Sequence, residues 1–114
     1  MNLEFVYKIC KKSEWHLAKS NGKFNGTKKD ISDGYIHFSS IDQLESTLKK
    51  YYNKEKDLIL LKVKTINLES LIWEQASDGN FFPHLYSILD ISNVCGEHYL
   101  DLNKNGSHII PLDF

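Results

Sequence analysis

The stretch DLILLKV, residues 57–63, places four large aliphatic residues in a row and ends on a lysine and a valine. A strand with one face in water alternates apolar and polar residues, whereas a strand covered on both faces carries a continuous apolar run. This stretch therefore predicts a central strand with other elements packed against both of its faces.

The sequence around this strand predicts an α+β domain with six or so strands and two main helices. Ser13 is expected to cap a helix over residues 14–20, which ends at Gly22, and the spacing Ser40-x-x-Gln43 predicts a capping box at the start of a second helix over residues 41–52. The other predicted strands are residues 3–9, 35–39, 71–75, 81–86 and 94–102.

Turn signals suggest how these strands pair. SDGN, residues 77–80, predicts a hairpin that joins residues 71–75 to residues 81–86, and NKNGS predicts that residues 94–102 pair with residues 108–112. Pro83 has no N–H group, so it is expected at an edge or a bulge. These connections favour a mixed, largely antiparallel sheet. A glycine-containing loop over residues 21–34 is expected to be functional or mobile.

Length and composition indicate one ordinary globular domain over residues 1–114. The chain is 41% hydrophobic and 25% charged, and its net charge is −1. Membrane spanning is therefore not expected, and because the N-terminus resembles no signal peptide we expect a cytoplasmic location. Cys10 and Cys95 match no metal spacing and are expected in or near the core.

All fourteen basic residues are lysines, and the chain contains no arginine. Arginine is the residue best suited to bidentate phosphate binding, so a phosphate-bearing ligand would rely on lysine, histidine or backbone amides. The balanced charge argues against DNA binding and against an extended RNA surface, because such surfaces carry a basic stripe.

Two segments suggest one shared site: GYIHFSS, residues 34–40, and FFPHLY, residues 81–86. Each puts a histidine between apolar neighbours and a hydroxyl two residues later. Successive side chains of a strand point to opposite faces. The residues expected to share a face are Tyr35, His37 and Ser39 in the first segment and Phe82, His84 and Tyr86 in the second. They would either line a small-molecule cleft or be packed in place, with each histidine bonded to a backbone carbonyl.

Glu74, in LIWEQ, is the carboxylate of most interest because Ile72 and Trp73 flank it, and partial burial there would raise its pKa. An exposed strand glutamate is the alternative. No two histidines have close ligand spacing and no His-Glu-x-x-His motif occurs, so we expect no metal site. The Gly-x-Ser-x-Gly elbow of serine hydrolases and the phosphate-cradling Gly-Lys-Ser/Thr loop are also absent.

The succession VYKIC…W, GYIHFSS, LILLKV, WE…FPHLY and a closing I-P-L resembles the domain of unknown function 952 family, small bacterial proteins without an established activity. That family is in turn similar, more remotely, to the ADP-ribosyltransferase fold, a split antiparallel sheet whose cleft binds NAD. IHFSS resembles the His-x-Ser segment of RNA 2′-phosphotransferases, and YK in the first strand lies where such folds carry Tyr-Arg or Tyr-His.

The resemblance implies a nucleotide cleft with NAD as a substrate and with glycosyl or phosphoryl transfer as the reaction. The catalytic residues would be His37, Glu74 and His84, and the binding residues would be Lys8, Tyr35, Ser39 and Tyr86. Breaking the nicotinamide–ribose bond creates oxocarbenium character, which a carboxylate stabilises, so Glu74 or alternatively Glu97 would take that role. No Glu-x-Glu motif is present, and lysine replaces the usual arginine or histidine at position 8.

Two other functions stay open. The first is a non-catalytic module for binding a small ligand or another protein, in which His37 and His84 organise a pocket without chemistry. The second is a transferase that acts on RNA ends, which predicts that Lys23, Lys28 and Lys29 lie at the mouth of the cleft.

Overall fold

The computed structural model describes residues 3–114, and its central element is the strand of the aliphatic run. Strand β4 (Leu58–Lys64) lies between β1 (Phe5–Lys11) and β8 (Val94–Leu100) and is antiparallel to both. Leu58 to Leu61 are fully buried and alternate between two separate core clusters. The prediction of a central strand covered on both faces is therefore confirmed.

A second three-stranded sheet carries both histidine segments. In it, β6 (Phe81–Leu85) lies between β3 (Ile36–His37) and β5 (Leu71–Gln75), and all pairs are antiparallel. The β5–β6 hairpin confirms the turn prediction. Pro83, however, is in the middle strand, so its expected place at an edge or bulge is wrong. Its carbonyl accepts from the Phe38 N–H on the β3 side, but proline cannot return a hydrogen bond to the Phe38 carbonyl, and regular pairing with β3 ends one residue earlier, at His37.

Among the described residues, three helices accompany the sheets, one more than the two main helices that the sequence predicted. They are α1 (Lys12–Asn21), α2 (Lys28–Asp33) and α3 (Leu44–Tyr51), the last preceded by a 3-10 helix, Ile41–Gln43, with the predicted Ser40–Gln43 capping box. A two-residue pair, β2 (Lys23–Phe24) with β7 (Leu89–Asp90), and a 3-10 helix, Ile91–Asn93, complete the fold. Within residues 3–114, no helix has the length and apolar character to cross a membrane.

Helix α2 replaces part of the loop that was expected over residues 21–34. Thr27 caps its start, with the Thr27 hydroxyl accepting from the Asp30 N–H and the Asp30 carboxylate accepting from the Thr27 N–H. The helix ends at Gly34, which adopts a left-handed conformation with φ of 87°. The six-residue helix buries Asp30 and leaves Ile31 exposed, so it lacks the apolar periodicity by which longer helices are recognised.

The two large sheets meet at a single antiparallel bridge between Tyr7 of β1 and Ser39, which follows β3. The Tyr7 N–H donates to the Ser39 carbonyl at 2.8 Å, and the Ser39 N–H donates to the Tyr7 carbonyl at 2.9 Å. The helices and the antiparallel strand pairs confirm the predicted mixed α+β fold. The sheet is split, because one bridge joins its two large parts. The ADP-ribosyltransferase-like label stays a prediction.

The C-terminal segment differs from expectation. Strand β8 pairs with β4, and residues 108–112 form no strand. Within residues 3–114, this segment has one β-bridge, between Leu102 and His108. Pro111 cannot donate a ladder hydrogen bond, and Ile110 and Phe114 pack against the core cluster beside Leu58 instead.

The two cysteines also behave differently from each other. Cys10 is fully buried in β1, as expected, whereas Cys95 in β8 is exposed. The prediction of a core or near-core position is therefore wrong for Cys95. Val94 pairs with Val63 and Gly96 pairs with Lys62, so Cys95 is an extra residue at a bulge in this edge strand.

Candidate functional site

Four rings on strands β3 and β6 or directly next to them form one cluster, here called the ring cluster: Tyr35, His37, His84 and Tyr86. Strands β3 and β6 pair His37 directly with His84, and the centres of these rings are 5.4 Å apart. Tyr35 lies among the other three, stacked on His84 at 4.2 Å and tilted against His37 at 4.6 Å and Tyr86 at 5.2 Å. Strand alternation therefore brings the two predicted segments onto one surface.

A buried ion pair lies beneath this cluster. The Lys8 ammonium is 2.7 Å from Asp30 Oδ2 and 3.0 Å from Asp30 Oδ1, and it donates to the His37 carbonyl at 2.9 Å. The two side chains are only 3% and 2% exposed. Lys8 on β1 thereby links the first sheet to β3 of the second just beyond their single backbone bridge.

Asp30 collects several donors besides Lys8. Its Oδ1 lies 2.6 Å from His37 Nδ1 and 3.1 Å from the His37 N–H, and its Oδ2 accepts from the Thr27 N–H at 2.8 Å. Burial alone would raise the pKa of Asp30, but the hydrogen bond from His37 and the charge of Lys8 outweigh it and hold the pKa well below its usual range. Burial lowers the pKa of Lys8, and the adjacent Asp30 carboxylate opposes that change.

His37 faces carboxylates at both ring nitrogens. Its Nδ1 meets Asp30, and its Nε2 is 3.1 Å from Asp33 Oδ2 at the end of α2. Asp33 is in turn bonded to Lys29, and that hydrogen bond and then the charges of Lys29 and His37 lower the pKa of Asp33. The ring of His37 is thus held in place from both sides by one short helix.

The other histidine has its own carboxylate. His84 Nδ1 lies 2.8 Å from Glu74 Oε1 of the neighbouring strand β5, and the Tyr86 hydroxyl donates to the same oxygen. These two hydrogen bonds, first that of Tyr86 and then that of His84, lower the pKa of Glu74, so the expected increase through burial is wrong. The same bond to Glu74 raises the pKa of Tyr86 to about 12.

The predicted site residues divide into two groups. Tyr35, His37, Glu74, His84 and Tyr86 are brought together and are reached by solvent to different degrees. Lys8 and Ser39 are buried beneath them instead. The Ser39 hydroxyl lies 3.3 Å from the hydroxyl of Thr47 on α3, so it joins the sheet to a helix and does not share the open surface with His37.

The other predicted groups are distributed over several elements of the fold. Glu97, the alternative carboxylate, is on β8 of the first sheet and forms an exposed ion pair with Lys19. Of the lysines expected at a cleft mouth, Lys28 and Lys29 begin α2, whereas Lys23 belongs to the small β2–β7 pair.

Asp30 and Asp33 were missed by the sequence prediction. The one available signal was the spacing Thr27-x-x-Asp30, which is typical of a helix start with an acidic residue in its first turn. This signal predicts a cap, but it does not predict that the capping carboxylate also binds Lys8 and His37.

Two surface cavities lie elsewhere on the molecule. One, of about 480 Å³, lies between α3 and the C-terminal segment and includes Lys49, Asn103 and His108; the other, of about 490 Å³, is lined by Lys11, Lys12, Ser13, His16, Lys56 and Asp57. Neither includes a residue of the ring cluster. The ring cluster is the stronger candidate site because its histidines and tyrosines and the adjacent carboxylates hold each other in defined positions, whereas the cavity linings are mostly exposed side chains.

Across residues 3–114, no group of three or more histidine, cysteine, aspartate or glutamate side chains has the geometry to hold a metal ion. The carboxylates of the site instead neutralise a lysine and orient two histidines.

The fold and site together define an α+β protein with a split antiparallel sheet, in which two histidines from paired strands each bind a carboxylate. The family model described as "Protein of unknown function (DUF952)" matches residues 9–96. The chain belongs to this family, as its motifs predicted.

Solved structures are similar to this chain over most of its length. The crystal structure of protein CC0527 from Caulobacter crescentus is similar with a TM-score of 0.87 and 40% identity, over 92% of this chain and 93% of that chain. The solution NMR structure of CC0527 is similar with a TM-score of 0.82 and 40% identity, over 92% of this chain and 91% of that chain. No curated protein matches the chain.

Proposed function

We propose that the ring cluster binds a nucleotide of the NAD type and that the reaction is glycosyl transfer with loss of nicotinamide. The observation that carries this proposal is the position of Glu74, which lies in hydrogen-bond contact with two rings of a partly open cluster of four. An aromatic surface with an ionised carboxylate at its edge attracts a flat cationic ring. The oxidised nicotinamide ring of NAD has that charge and shape.

Charge supports recognition through the ring more than through the phosphates. Lys8 is neutralised by Asp30, and Lys29 is paired with Asp33, so the cations nearest the cluster already have anionic partners. A pyrophosphate would gain little from them. Glycosyl transfer is therefore favoured over phosphoryl transfer, which depends on cations that stabilise the transferred group.

Glu74 has the properties that glycosyl transfer requires. Its lowered pKa keeps the carboxylate ionised at neutral pH, and its hydrogen bonds with His84 and Tyr86 both use Oε1. Oε2 can then face the sugar, where positive charge develops as the bond to nicotinamide breaks. A fixed negative charge at that point stabilises the transition state more than the ground state. Lys8 and Ser39 would support the site from below without contacting the ligand.

The first experiment measures binding. Calorimetric titration with NAD⁺ and with NADH should give saturable binding that is tighter for NAD⁺, because the reduced ring carries no positive charge. Glu74→Gln keeps the size of the side chain and removes the charge, and should weaken NAD⁺ binding more than NADH binding. The matched control is Glu69→Gln, which removes an exposed carboxylate outside the ring cluster.

The second experiment measures turnover. Nicotinamide release from NAD⁺ should fall by about 10²–10³-fold in Glu74→Gln, the loss typical for removal of one electrostatic stabiliser. Circular dichroism would confirm that the variant is folded. A loss of the same size in Glu97→Gln, with Glu74→Gln unaffected, would show that the catalytic carboxylate is wrongly assigned.

The second candidate function is a binding module without catalysis. The burial of Lys8 favours it, because the first-strand position that the remote resemblance assigns to ligand binding is occupied by an internal ion pair. Saturable NAD⁺ binding without nicotinamide release, with and without added acceptors, would select this module over the transferase. Absence of nucleotide binding altogether would refute the transferase and a module that binds nucleotides.

A further inference from the structure

The ring nitrogens of the two facing histidines have different surroundings. Both nitrogens of His37 lie within 3.1 Å of a carboxylate oxygen. His84 Nδ1 is bonded to Glu74, but among residues 3–114 its Nε2 has no hydrogen-bond partner. Within this histidine pair, Nε2 of His84 is therefore the nitrogen that a ligand can use.

The bond to Glu74 determines which tautomer the neutral His84 ring adopts. A carboxylate only accepts hydrogen bonds, so the proton of the neutral ring must lie on Nδ1 and the lone pair must lie on Nε2. Tyr86 donates to the same carboxylate oxygen and thereby helps to fix its orientation. This is the arrangement in which a carboxylate orients a histidine as a base.

We propose that His84 is the general base of the glycosyl transfer and takes the proton of an acceptor hydroxyl through Nε2. This inference rests on the proposed function and names a role within the same site. The acceptor oxygen forms a bond to C1′ of the ribose while the C1′–nitrogen bond breaks, and the electron pair of that bond leaves with neutral nicotinamide. The acceptor proton moves to Nε2 of His84 and later to water.

Other groups of the site are excluded as the base by their contacts. His37 meets Asp30 and Asp33 at its two nitrogens, so it is a positioning residue that holds α2 against the sheet. The Tyr86 hydroxyl donates a hydrogen bond to Glu74, and the raised pKa of Tyr86 keeps this hydroxyl protonated. His84 is stacked on Tyr35 and only 12% of its side chain is exposed, so water or a slender alcohol fits this base better than a bulky acceptor.

The arrangement can be tested without a ligand. Long-range ¹H–¹⁵N correlation NMR on the wild-type protein distinguishes a protonated ring nitrogen from a bare one, and the His84→Gln spectrum identifies the signals of His84. We expect the neutral ring to carry its proton on Nδ1. A proton on Nε2 would overturn the proposal whether or not the protein turns over NAD⁺.

The role in the reaction is tested by replacing the nucleophile. His84→Ala should reduce nicotinamide release by water about 10²-fold or more, the usual contribution of a general base. Azide is an anion that attacks C1′ without losing a proton, so it should restore release in His84→Ala. His16→Ala, at an exposed histidine on α1, serves as the control and should behave like the wild type.

Each outcome separates this inference from the proposed function. Wild-type release that persists in folded His84→Ala would refute the role of His84 alone. Loss of release that azide does not restore, in a variant that still binds NAD⁺, would show a structural role for His84 and overturn the proposal. Failure of the wild-type protein to release nicotinamide would refute both the general base and the catalytic part of the proposed function.

Discussion

Replacing Asp30 by asparagine should destabilise the protein strongly, although the change preserves the size of the side chain. Asp30 is 2% exposed and neutralises a lysine that is 3% exposed. Removing one member of a buried ion pair typically costs about 3–5 kcal/mol, because the remaining charge stays buried without compensation. A chain of 114 residues has a free energy of unfolding of roughly 6–17 kcal/mol, so the loss is a large share of it.

Urea unfolding followed by circular dichroism measures this loss. With an m value of about 1.5 kcal/mol per M, the midpoint should fall by about 2–3 M. Adding Lys8→Met to Asp30→Asn removes the stranded charge, so the double variant should lose about 2 kcal/mol less than the sum of the two single variants. The control is Glu45→Gln, which breaks the exposed helical pair between Glu45 and Lys49 and should cost about 0.5 kcal/mol or less.

The result that would refute this reasoning is a small effect. If Asp30→Asn moved the midpoint no further than Glu45→Gln, the ion pair would not hold the two sheets together. If the single losses were additive in the double variant, Lys8 and Asp30 would not interact as their 2.7 Å separation implies.

Three further predictions follow from the same structure. The pKa of Asp30 is lower in the folded protein than in the unfolded chain. The contribution of Asp30 to stability is therefore present above about pH 4 and is lost as the pH falls below that value. On acidification, the free energy of unfolding should fall less steeply in Asp30→Asn than in the wild type. Gly26→Ala should destabilise the protein by about 1–3 kcal/mol, since φ is 108° and a Cβ would lie 2.6 Å from the Asp30 Cβ. Gly79→Ala, with a φ of 91° and open space around it, should cost about 1 kcal/mol. Thermal unfolding compares the two variants, and equal losses would contradict the steric argument. Iodoacetamide should label one thiol of the native protein, the exposed Cys95, because burial shields Cys10 and raises its pKa to about 12; mass spectrometry after digestion would locate the label, and rapid labelling of Cys10 in the native state would contradict its burial.

Simple periodicity was enough to predict the frame of the fold. The aliphatic run of β4 indicated a strand covered on both faces, and two separate core clusters cover it. Alternation along β3 and β6 likewise predicted that His37 and His84 share a surface, and the register pairs them directly. These features follow from local chain geometry, which a sequence displays as a pattern.

The buried centre of the site depends instead on contacts that no local pattern records. Alternation puts the Lys8 side chain on the other face of β1 from the Tyr7 side chain. Both faces of β1 are buried, so Lys8 enters the interior and not a cleft. Its partner Asp30 is 22 residues away and lies on a short helix that carries no apolar stripe. The pKa of Glu74 also depends on contacts distant in sequence. It is lowered by hydrogen bonds from Tyr86 and His84, which the flanking residues Ile72 and Trp73 do not indicate.

The lysine at position 8 acquires a different meaning from this geometry. Its ammonium has three N–H donors and meets three acceptors, the two oxygens of Asp30 and the His37 carbonyl. The guanidinium group of an arginine would bring five N–H donors to the same closed space. Each donor left without an acceptor would carry a desolvation cost of about 1–3 kcal/mol. Lysine at this position is therefore explained by the contact between the two sheets, and its difference from the arginine or histidine of the remote resemblance does not by itself indicate lost activity. The proposed activity depends instead on the open side of the site, on Glu74 and His84.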